Sequence, residues 1–119
     1  MINDLLGVTL SRIDGLEKDS DRAAFTSSDG REWIMHHVQD CCESVSILDI
    51  DGDVNDLLNT PITLAEESSN SENPPADWNG ESFTWTFYRL GTNKGIAVIR
   101  WYGTSNGFYS EQVDFEEVR

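Results

Sequence analysis

The chain reads SFTWTFYRLGTNKGIAVIRWY from Ser82 to Tyr102, and this stretch decides the fold class. In its first part, aromatic side chains at every second position alternate with Thr and Tyr, which is the period-two pattern of a β-strand. Gly91 to Gly95 predicts a turn, and the apolar run from Ile96 to Tyr102 predicts a second strand. Alternation along that strand places Ile96, Val98, Arg100 and Tyr102 on one face and Ala97, Ile99 and Trp101 on the other. The stretch therefore predicts an antiparallel hairpin.

Outward from this hairpin, the sequence predicts a mostly β (α+β) protein: an antiparallel sheet of hairpins and a meander, in a single domain covering residues 1–119. Turn signals at Asp29-Gly30 and Asn106-Gly107 separate strand-like segments. In the strand that begins at Val45, alternation places Ile47 and Asp49 on the same face as Val45. The other strands are predicted at Val8–Glu17, Arg22–Thr26, Arg31–Val38, Pro61–Glu66, Glu81–Leu90 and Phe108–Val118.

One or two short helices and one long loop complete the predicted organisation. Asp53 is a suitable N-cap for a short helix over Val54–Leu58, and Asn59 suits its C-terminal end. The segment Asn3–Gly7 has the same pattern and predicts a second helical turn. The polar residues and the two prolines of Ser68–Asn79 predict a flexible loop.

The overall charge limits the classes of partner. The chain has 22 Asp and Glu against 8 Lys and Arg, for a net charge of −14. Duplex nucleic acids and anionic membranes are therefore unfavourable partners, because both are bound through basic side chains. No signal peptide and no apolar run of membrane-spanning length is present, which predicts a soluble intracellular protein. The adjacent Cys41 and Cys42 are expected to be reduced thiols, since a bond between neighbours is geometrically unfavourable.

One part of this acidic chain stands apart as a candidate ligand site. From Ser82 to Ser110 there is no Asp or Glu, whereas Arg89, Lys94 and Arg100 lie inside the segment together with eight aromatic residues. Rings can stack on a flat group and bases can hold a negative charge, the two requirements of a nucleotide pocket. The alternating rings at 83, 85 and 87 also suit one face of a sheet core.

Metal binding and catalysis find no such support in the sequence. His36, His37, Cys41 and Cys42 are zinc-binding types, but their spacing does not match that of paired zinc ligands. No nucleophile with a base, no phosphate-binding glycine loop and no dinucleotide fingerprint is found. We therefore predict no metal, no cofactor and no enzymatic activity.

Three blocks of sequence resemble a known family. They are HVQDCCESV at residues 37–45, ESFTWTFY at 81–88 and IRWYGTSNGFYS at 99–110. Together they resemble the phage anti-Thoeris sponge family, the first-described type of Thoeris anti-defence protein, over about Asp29 to Phe115. Members of that family are homodimers or larger assemblies that sequester cyclic ADP-ribose isomers without degrading them, and some also take up cyclic oligonucleotides.

The resemblance implies an immune-evasion protein acting in the cytoplasm of the infected bacterial host, with signal pockets at subunit contacts. It further implies that Phe83 stacks on the adenine and that Asn93 contacts the ligand from the turn. Lys94, Arg89 and Arg100 are candidates for the phosphates on charge alone. One alternative is an acidic, nucleic-acid-mimicking inhibitor of a host defence factor. Another is a metal-dependent hydrolase built on the His and Cys cluster.

Overall fold

The computed structural model describes residues 1–119 as eight β-strands and two 3-10 helices of four residues each. The helices are Ile2–Leu5 and Val54–Leu57. The strands are β1 (Leu10–Asp14), β2 (Arg22–Ser27), β3 (Glu32–His36), β4 (Ser44–Asp51), β5 (Leu64–Asn70), β6 (Ser82–Thr92), β7 (Gly95–Ser105) and β8 (Asp114–Val118).

The strands form two four-stranded antiparallel sheets. The first sheet has the order β1-β2-β3-β8 and the second has the order β4-β7-β6-β5. The predicted mostly β class with antiparallel hairpins and a β1-β2-β3 meander is confirmed. Neither helix has the length or the hydropathy needed to cross a membrane.

The β6-β7 hairpin forms the centre of the second sheet, as the sequence predicts. Its pairing runs without interruption from Ser82 opposite Ser105 to Thr92 opposite Gly95, which leaves Asn93 and Lys94 as a two-residue turn. The hydroxyl of Thr92 accepts a hydrogen bond from the backbone N–H of Lys94 and donates to the carbonyl of Asp56. The turn is therefore fixed both to its own strand and to the second 3-10 helix.

The hydrophobic core lies between the two sheets. Ala97, Ile99 and Trp101 of β7 are fully buried, and they belong to one apolar cluster with residues of the first sheet. A direct contact joins the sheets where the indole N–H of Trp101 donates to the sulfur of Met35 at 3.3 Å. Every second residue of β7 thus faces the first sheet, in agreement with the predicted alternation.

Both short helical segments are confirmed. The side chain of Asp53 accepts from the backbone N–H of Asn55, so it caps the second helix as predicted. Asn59 has a φ of 65°, the left-handed conformation expected of a residue that ends a helical turn. Gly7 follows the first helix with a φ of 81°.

The last predicted hairpin is wrong. Residues 106–113 do not pair with β7, and β8 instead pairs with β3 in the first sheet. Glu111 redirects the chain, because its carboxylate accepts from the hydroxyls of Thr84 (2.7 Å) and Ser105 (2.5 Å). A Cβ on Gly103 would lie 2.9 Å from the carbonyl oxygen of Glu111, so this close crossing requires glycine.

The strand predicted at Pro61–Glu66 is shifted along the chain. β5 begins at Leu64 and continues to Asn70, because it pairs with the long β6 as far as Trp85. The loop predicted at Ser68–Asn79 is consequently shorter and runs over residues 71–81. Ser68, Ser69 and Asn70, which were predicted to lie in the loop, belong to β5.

The cysteine prediction is also wrong in the structure, where Cys41 and Cys42 form a disulfide. The two residues lie in a tight bend between β3 and β4. The carboxylate of Glu43 holds this bend together, because it accepts from the backbone N–H groups of Asp40 at 3.0 Å and Cys41 at 2.8 Å. The folded bend brings the two sulfurs together.

Replacing Trp101 by alanine tests the position of the core. The side chain is fully buried between the sheets, so Trp101→Ala should lower the free energy of unfolding by about 3–5 kcal/mol. Urea denaturation followed by circular dichroism measures this change. Trp78→Ala is the matched control. Because Trp78 is 43% exposed, this variant should lose much less of the free energy of unfolding. Equal losses in the two variants would contradict the assigned core.

Candidate functional site

The three rings of β6 lie on the outer surface of the second sheet, away from the core. Trp85 pairs with Tyr102 and Phe87 with Arg100, whereas the intervening Thr86 pairs with the core residue Trp101. Tyr88 and Leu90 belong to the core cluster, and Phe83, Trp85 and Phe87 do not. The three rings therefore do not belong to the core between the sheets, although Phe83 and Trp85 are buried.

We call this surface the aromatic face and define it by five residues: Phe83, Trp85, Phe87, Arg100 and Tyr102. The ring centroids of Trp85 and Tyr102 are 4.6 Å apart, and those of Phe83 and Tyr102 are 6.3 Å apart. The guanidinium of Arg100 lies 4.9 Å from the centroid of the Trp85 ring, a cation–π contact. The sequence predicted a shared face for Arg100 and Tyr102, and this prediction is confirmed.

One end of the aromatic face is covered by the loop 71–81. Trp78 packs edge-on against Phe83 with centroids 5.5 Å apart, and its indole N–H donates to the carbonyl of Glu81 at 2.7 Å. The indole of Trp85 donates to the carbonyl of Asn73 at 3.1 Å. Phe83 and Trp85 are consequently only 8% and 6% exposed. A flat ligand can stack on Phe83 only after Trp78 moves.

The other end of the aromatic face is open. A cavity of about 360 Å³ is lined there by Phe87, Ile50, Val98, Arg100, Asp49 and Asp51. This volume falls in the range of small-molecule sites. The apolar residues form a surface against which a planar group can lie, and the polar residues stand beside it.

Arg100 is already engaged within the chain. Its Nε donates to one carboxylate oxygen of Asp49 at 3.1 Å and its terminal nitrogen to the other at 2.5 Å. This bidentate pair offsets the positive charge that made Arg100 a candidate for a phosphate. Arg89 is exposed, forms no ion pair, and lies in register between Val98 and Glu66. It is the cation of this surface that is free to meet an anion.

A β-bulge creates the Asp49–Arg100 pair. The pairing of β4 with β7 shifts between Ile47 and Asp49, so Leu48 has no direct partner. The extra residue places Asp49 opposite Arg100 on the outer surface rather than in phase with Ile47. The predicted position of Asp49 on the face of Val45 and Ile47 is therefore wrong.

Asn93 and Lys94 lie far from Phe83. Asn93 follows Phe83 by ten positions along β6 and its turn. At the rise of an extended strand, this corresponds to about 33 Å. The amide oxygen of Asn93 accepts from the hydroxyl of Thr60 at 3.1 Å, and the ammonium of Lys94 donates to the carbonyl of Leu58 at 2.6 Å. The amide nitrogen of Asn93 makes no hydrogen bond within the chain and remains available to a ligand.

The largest cavity, about 410 Å³, lies between the inner surface of β5-β6 and residues 110–115. Glu67, Glu111 and Asp114 line it, and no Lys or Arg does. Burial first, and then the negative charge of Glu67, raise the pKa of the Tyr88 hydroxyl far above its usual value. An anionic ligand would be repelled from this cavity.

His37 and Glu43 form a buried hydrogen-bonded pair beside the Cys41–Cys42 bend. One ring nitrogen of His37 lies 2.7 Å from the carbonyl of Gln112 and the other 2.8 Å from the Glu43 carboxylate. The two side chains are 3% and 0% exposed. His36 pairs separately with Glu116 at 2.9 Å.

Glu43 is held in its charged form. Burial of the carboxyl acts to raise its pKa, but hydrogen bonds outweigh it and lower the pKa from 4.5 to about 2. The donors are, in order of effect, the backbone of Cys41, the side chain of His37 and the backbone of Asp40 and Glu43 itself. No three His, Cys, Asp or Glu side chains are arranged to hold a metal ion.

Fold and site together define an antiparallel β-sandwich with an aromatic outer face. The sequence matches the family described as a domain of unknown function, DUF7448, over residues 3–115, and the chain belongs to this family. No curated protein and no solved structure matches the chain. The family description carries no activity, so the resemblance to anti-Thoeris sponges stays a prediction.

The lowered pKa of Glu43 predicts a pH dependence of stability. Because the folded pKa lies below the unfolded one, the contribution is complete above about pH 4.5 and is lost as the pH falls toward 2. Glu43→Gln should lower the thermal unfolding midpoint at pH 7, and the difference from wild type should shrink over that range. Glu72→Gln, at an exposed glutamate, should show no such trend. A constant difference for Glu43→Gln from pH 7 to 2 would refute the assignment.

Proposed function

We propose that this protein is a non-catalytic sponge, which binds a cyclic ADP-ribose isomer and sequesters it from bacterial Thoeris defence. The proposal joins the sequence resemblance to one structural observation, the aromatic face. Its rings lie outside the core between the sheets, and Phe83 and Trp85 are covered only by the loop 71–81, so a movement of that loop would expose a ring surface that a flat group can stack on. Sequestration in the cytoplasm of an infected host would depend on copy number and affinity rather than turnover.

The two ends of the aromatic face suit different parts of such a ligand. Phe87 is partly accessible beside a cavity of about 360 Å³, where a planar base can stack on the ring. Phe83, the ring that the resemblance implies for adenine, lies under Trp78. Stacking on Phe83 therefore requires the indole of Trp78 to move aside or to become the second wall of a ring sandwich.

The charges of one chain do not suit a pyrophosphate. Each cavity of the protein is lined by at least two carboxylates. Beside the aromatic face these are Asp49 and Asp51 at the open end, and Asp77 and Glu81 at the covered end. Arg89 is the free cation on the aromatic face, and a dianion needs more than one. A second copy of the chain would supply further bases, as the implied homodimer or larger assembly requires.

The separation of Phe83 from Asn93 leads to the same arrangement. A cyclic dinucleotide-sized ligand does not span about 33 Å, so one molecule cannot contact both residues of a single chain. If both residues contact the same ligand, Phe83 comes from one subunit and Asn93 from another. The free amide nitrogen of Asn93 then faces the pocket from the turn of the second subunit.

Calorimetry with cyclic ADP-ribose isomers tests the proposal directly. We expect binding at a fixed stoichiometry, and intact ligand should be recovered when the complex is denatured and analysed by chromatography. Phe83→Ala should weaken binding by roughly 1–3 kcal/mol, the value of one stacked base. Phe25→Ala is unsuitable as a control because that ring is buried in the core. The matched control is Phe108→Ala, at an exposed phenylalanine outside the aromatic face.

Two outcomes would overturn this assignment. A degraded product in place of intact ligand would show an enzyme rather than a sponge. Binding that Phe83→Ala and Phe108→Ala weaken equally would move the site away from the aromatic face. Cyclic oligonucleotides tested in the same way show whether the site accepts them as well.

Mixed subunits test the arrangement of the pocket between copies. Phe83→Ala and Asn93→Ala should each weaken binding in their own homodimers, so the binding capacity is compared at a ligand concentration near the wild-type dissociation constant, where the single-variant homodimers are mostly empty. In a purified heterodimer of the two variants, one pocket combines the intact Phe83 of one chain with the intact Asn93 of the other, and the second pocket has neither. Half of the wild-type binding capacity should therefore return. If no capacity returns, the two residues do not share a pocket across subunits.

A further inference from the structure

Four connections lie at one end of the β-sandwich, and three of them carry large exposed apolar residues. The fourth is the β1-β2 connection, residues 15–21, because Arg22 pairs with His36. The ends of β7, β6 and β4 coincide there, because Ser105 pairs with Ser82 and Thr104 with Ser44. β3 ends and β8 begins at the same end, where His36 pairs with Asp114. The connecting segments 37–43, 71–81 and 106–113 are therefore neighbours. We call their combined surface the loop face.

The loop face exposes large apolar side chains. Phe108 is 88% exposed, Val38 61% and Trp78 43%, so the three segments carry three of the seven most exposed large apolar residues. Apolar side chains gathered at one end of a protein indicate an interaction surface. Aromatic residues in particular are enriched among those that anchor protein interfaces.

Phe108 is held in place by its turn. Gly107 has a φ of 96°, and its backbone N–H donates to the hydroxyl of Ser105 at 3.0 Å. The backbone N–H of Phe108 donates to the side chain of Asn106 at 3.0 Å. The Ser105 hydroxyl in turn donates to the buried carboxylate of Glu111. The ring is thus presented by an ordered turn, which reduces the entropy lost on binding.

The exposed charges of the loop face are all negative. Asp40, Glu72, Asp77 and Glu81 are exposed, and the three segments contain no Lys or Arg. The one histidine, His37, is paired with Glu43 inside the protein. The β1-β2 connection at the same end has Lys18 and the adjoining Arg22 against Glu17, Asp19 and Asp21, all of them exposed. Acidic side chains therefore outnumber basic ones around the apolar residues.

We infer that the loop face is a docking surface for a protein partner with a basic rim around an apolar recess that receives Phe108. The charge pattern selects this occupant. A second copy docked through the same face would bring four further carboxylates against these four, and like charges in contact are costly. Anionic lipid and nucleic acid are repelled for the same reason. The inference does not depend on the sponge function, although the loop 71–81 borders both the loop face and the aromatic face.

Defined peptides test this inference with the full chain. The probe is a synthetic helical peptide with arginines along one side and leucines along the other, and the comparison peptide has serines in place of the leucines. We expect the leucine peptide to bind, with chemical-shift changes in ¹H–¹⁵N spectra confined to the three loops. Asp77→Asn combined with Glu81→Gln should reduce the salt dependence of its affinity.

Paired variants of exposed apolar residues supply the decisive comparison. Phe108→Ser should weaken the leucine peptide roughly tenfold, as expected for an anchoring ring. Ile96→Ser should have no effect, because Ile96 is 52% exposed at the opposite end of the sandwich. Both side chains are exposed, so neither change should disturb folding.

Several results would overturn the inference. The protein could bind both peptides with equal affinity, or Phe108→Ser and Ile96→Ser could weaken the leucine peptide equally. The chemical-shift changes could also be centred on Phe87 and Arg100 of the aromatic face instead of the three loops. Binding of the protein to phosphatidylglycerol vesicles through Phe108 would identify a membrane instead. A dimer in sedimentation that Phe108→Ser dissolves would identify a second copy as the occupant.

Discussion

The uninterrupted register of the β6-β7 hairpin is the constraint on which the rest of the structure depends. A slip of one residue would move every side chain of a strand to the opposite surface. In the observed register, Trp101 and Ile99 enter the core while Trp85 and Phe87 face outward. The two-residue turn excludes such a slip, because Thr92 bonds both the turn and the neighbouring helix. The separation of core from aromatic face follows from this one register.

The acid-free segment of the sequence is not acid-free in space. β4 places Asp49 against Arg100, and β5 places Glu66 opposite Arg89. The local positive charge inferred from the sequence is therefore largely offset by the strands on either side. The features of this segment that still suit a ligand are the ring surface and the guanidinium of Arg89, which forms no ion pair. This combination favours recognition of a ligand by stacking over recognition by charge.

The β-strands and short helices were predictable where the residues that determine them lie close together in the sequence. Alternation predicted β6 and β7, and the caps at Asp53 and Asn59 predicted the second helix. Which rings of β6 face the core was not predictable, because both of its surfaces carry aromatic residues. The first sheet covers one of the two surfaces of β6, and its strands are distant from β6 in the sequence. The bulge at Leu48 has no sequence signal, and it moved Asp49 to the surface of Arg100.

The candidate site was only partly predictable for the same reason. The composition of residues 82–110 led to the aromatic face, but Trp78 and Asp49 reach it from other parts of the chain. Trp78 lies in a loop whose sequence gives no indication of its contact with Phe83. The redirection of residues 106–113 depends on hydroxyls of β6 and β7 that bond Glu111 only in the folded protein.

The pairing of β8 with β3 has a consequence for how the chain folds. His36 and Glu116 meet across 80 positions, and the strands between them, β4 to β7, all belong to the other sheet. Contacts so distant in sequence form late, because a large loop must close before they contribute. Until then β3 has an unpaired edge and Phe115 leaves one side of the core open, an arrangement prone to edge-to-edge association. We therefore expect the first sheet to be completed last. Its order ends in β8, whose carboxylates at Asp114, Glu116 and Glu117 then replace the largely apolar edge of β3 with a charged one.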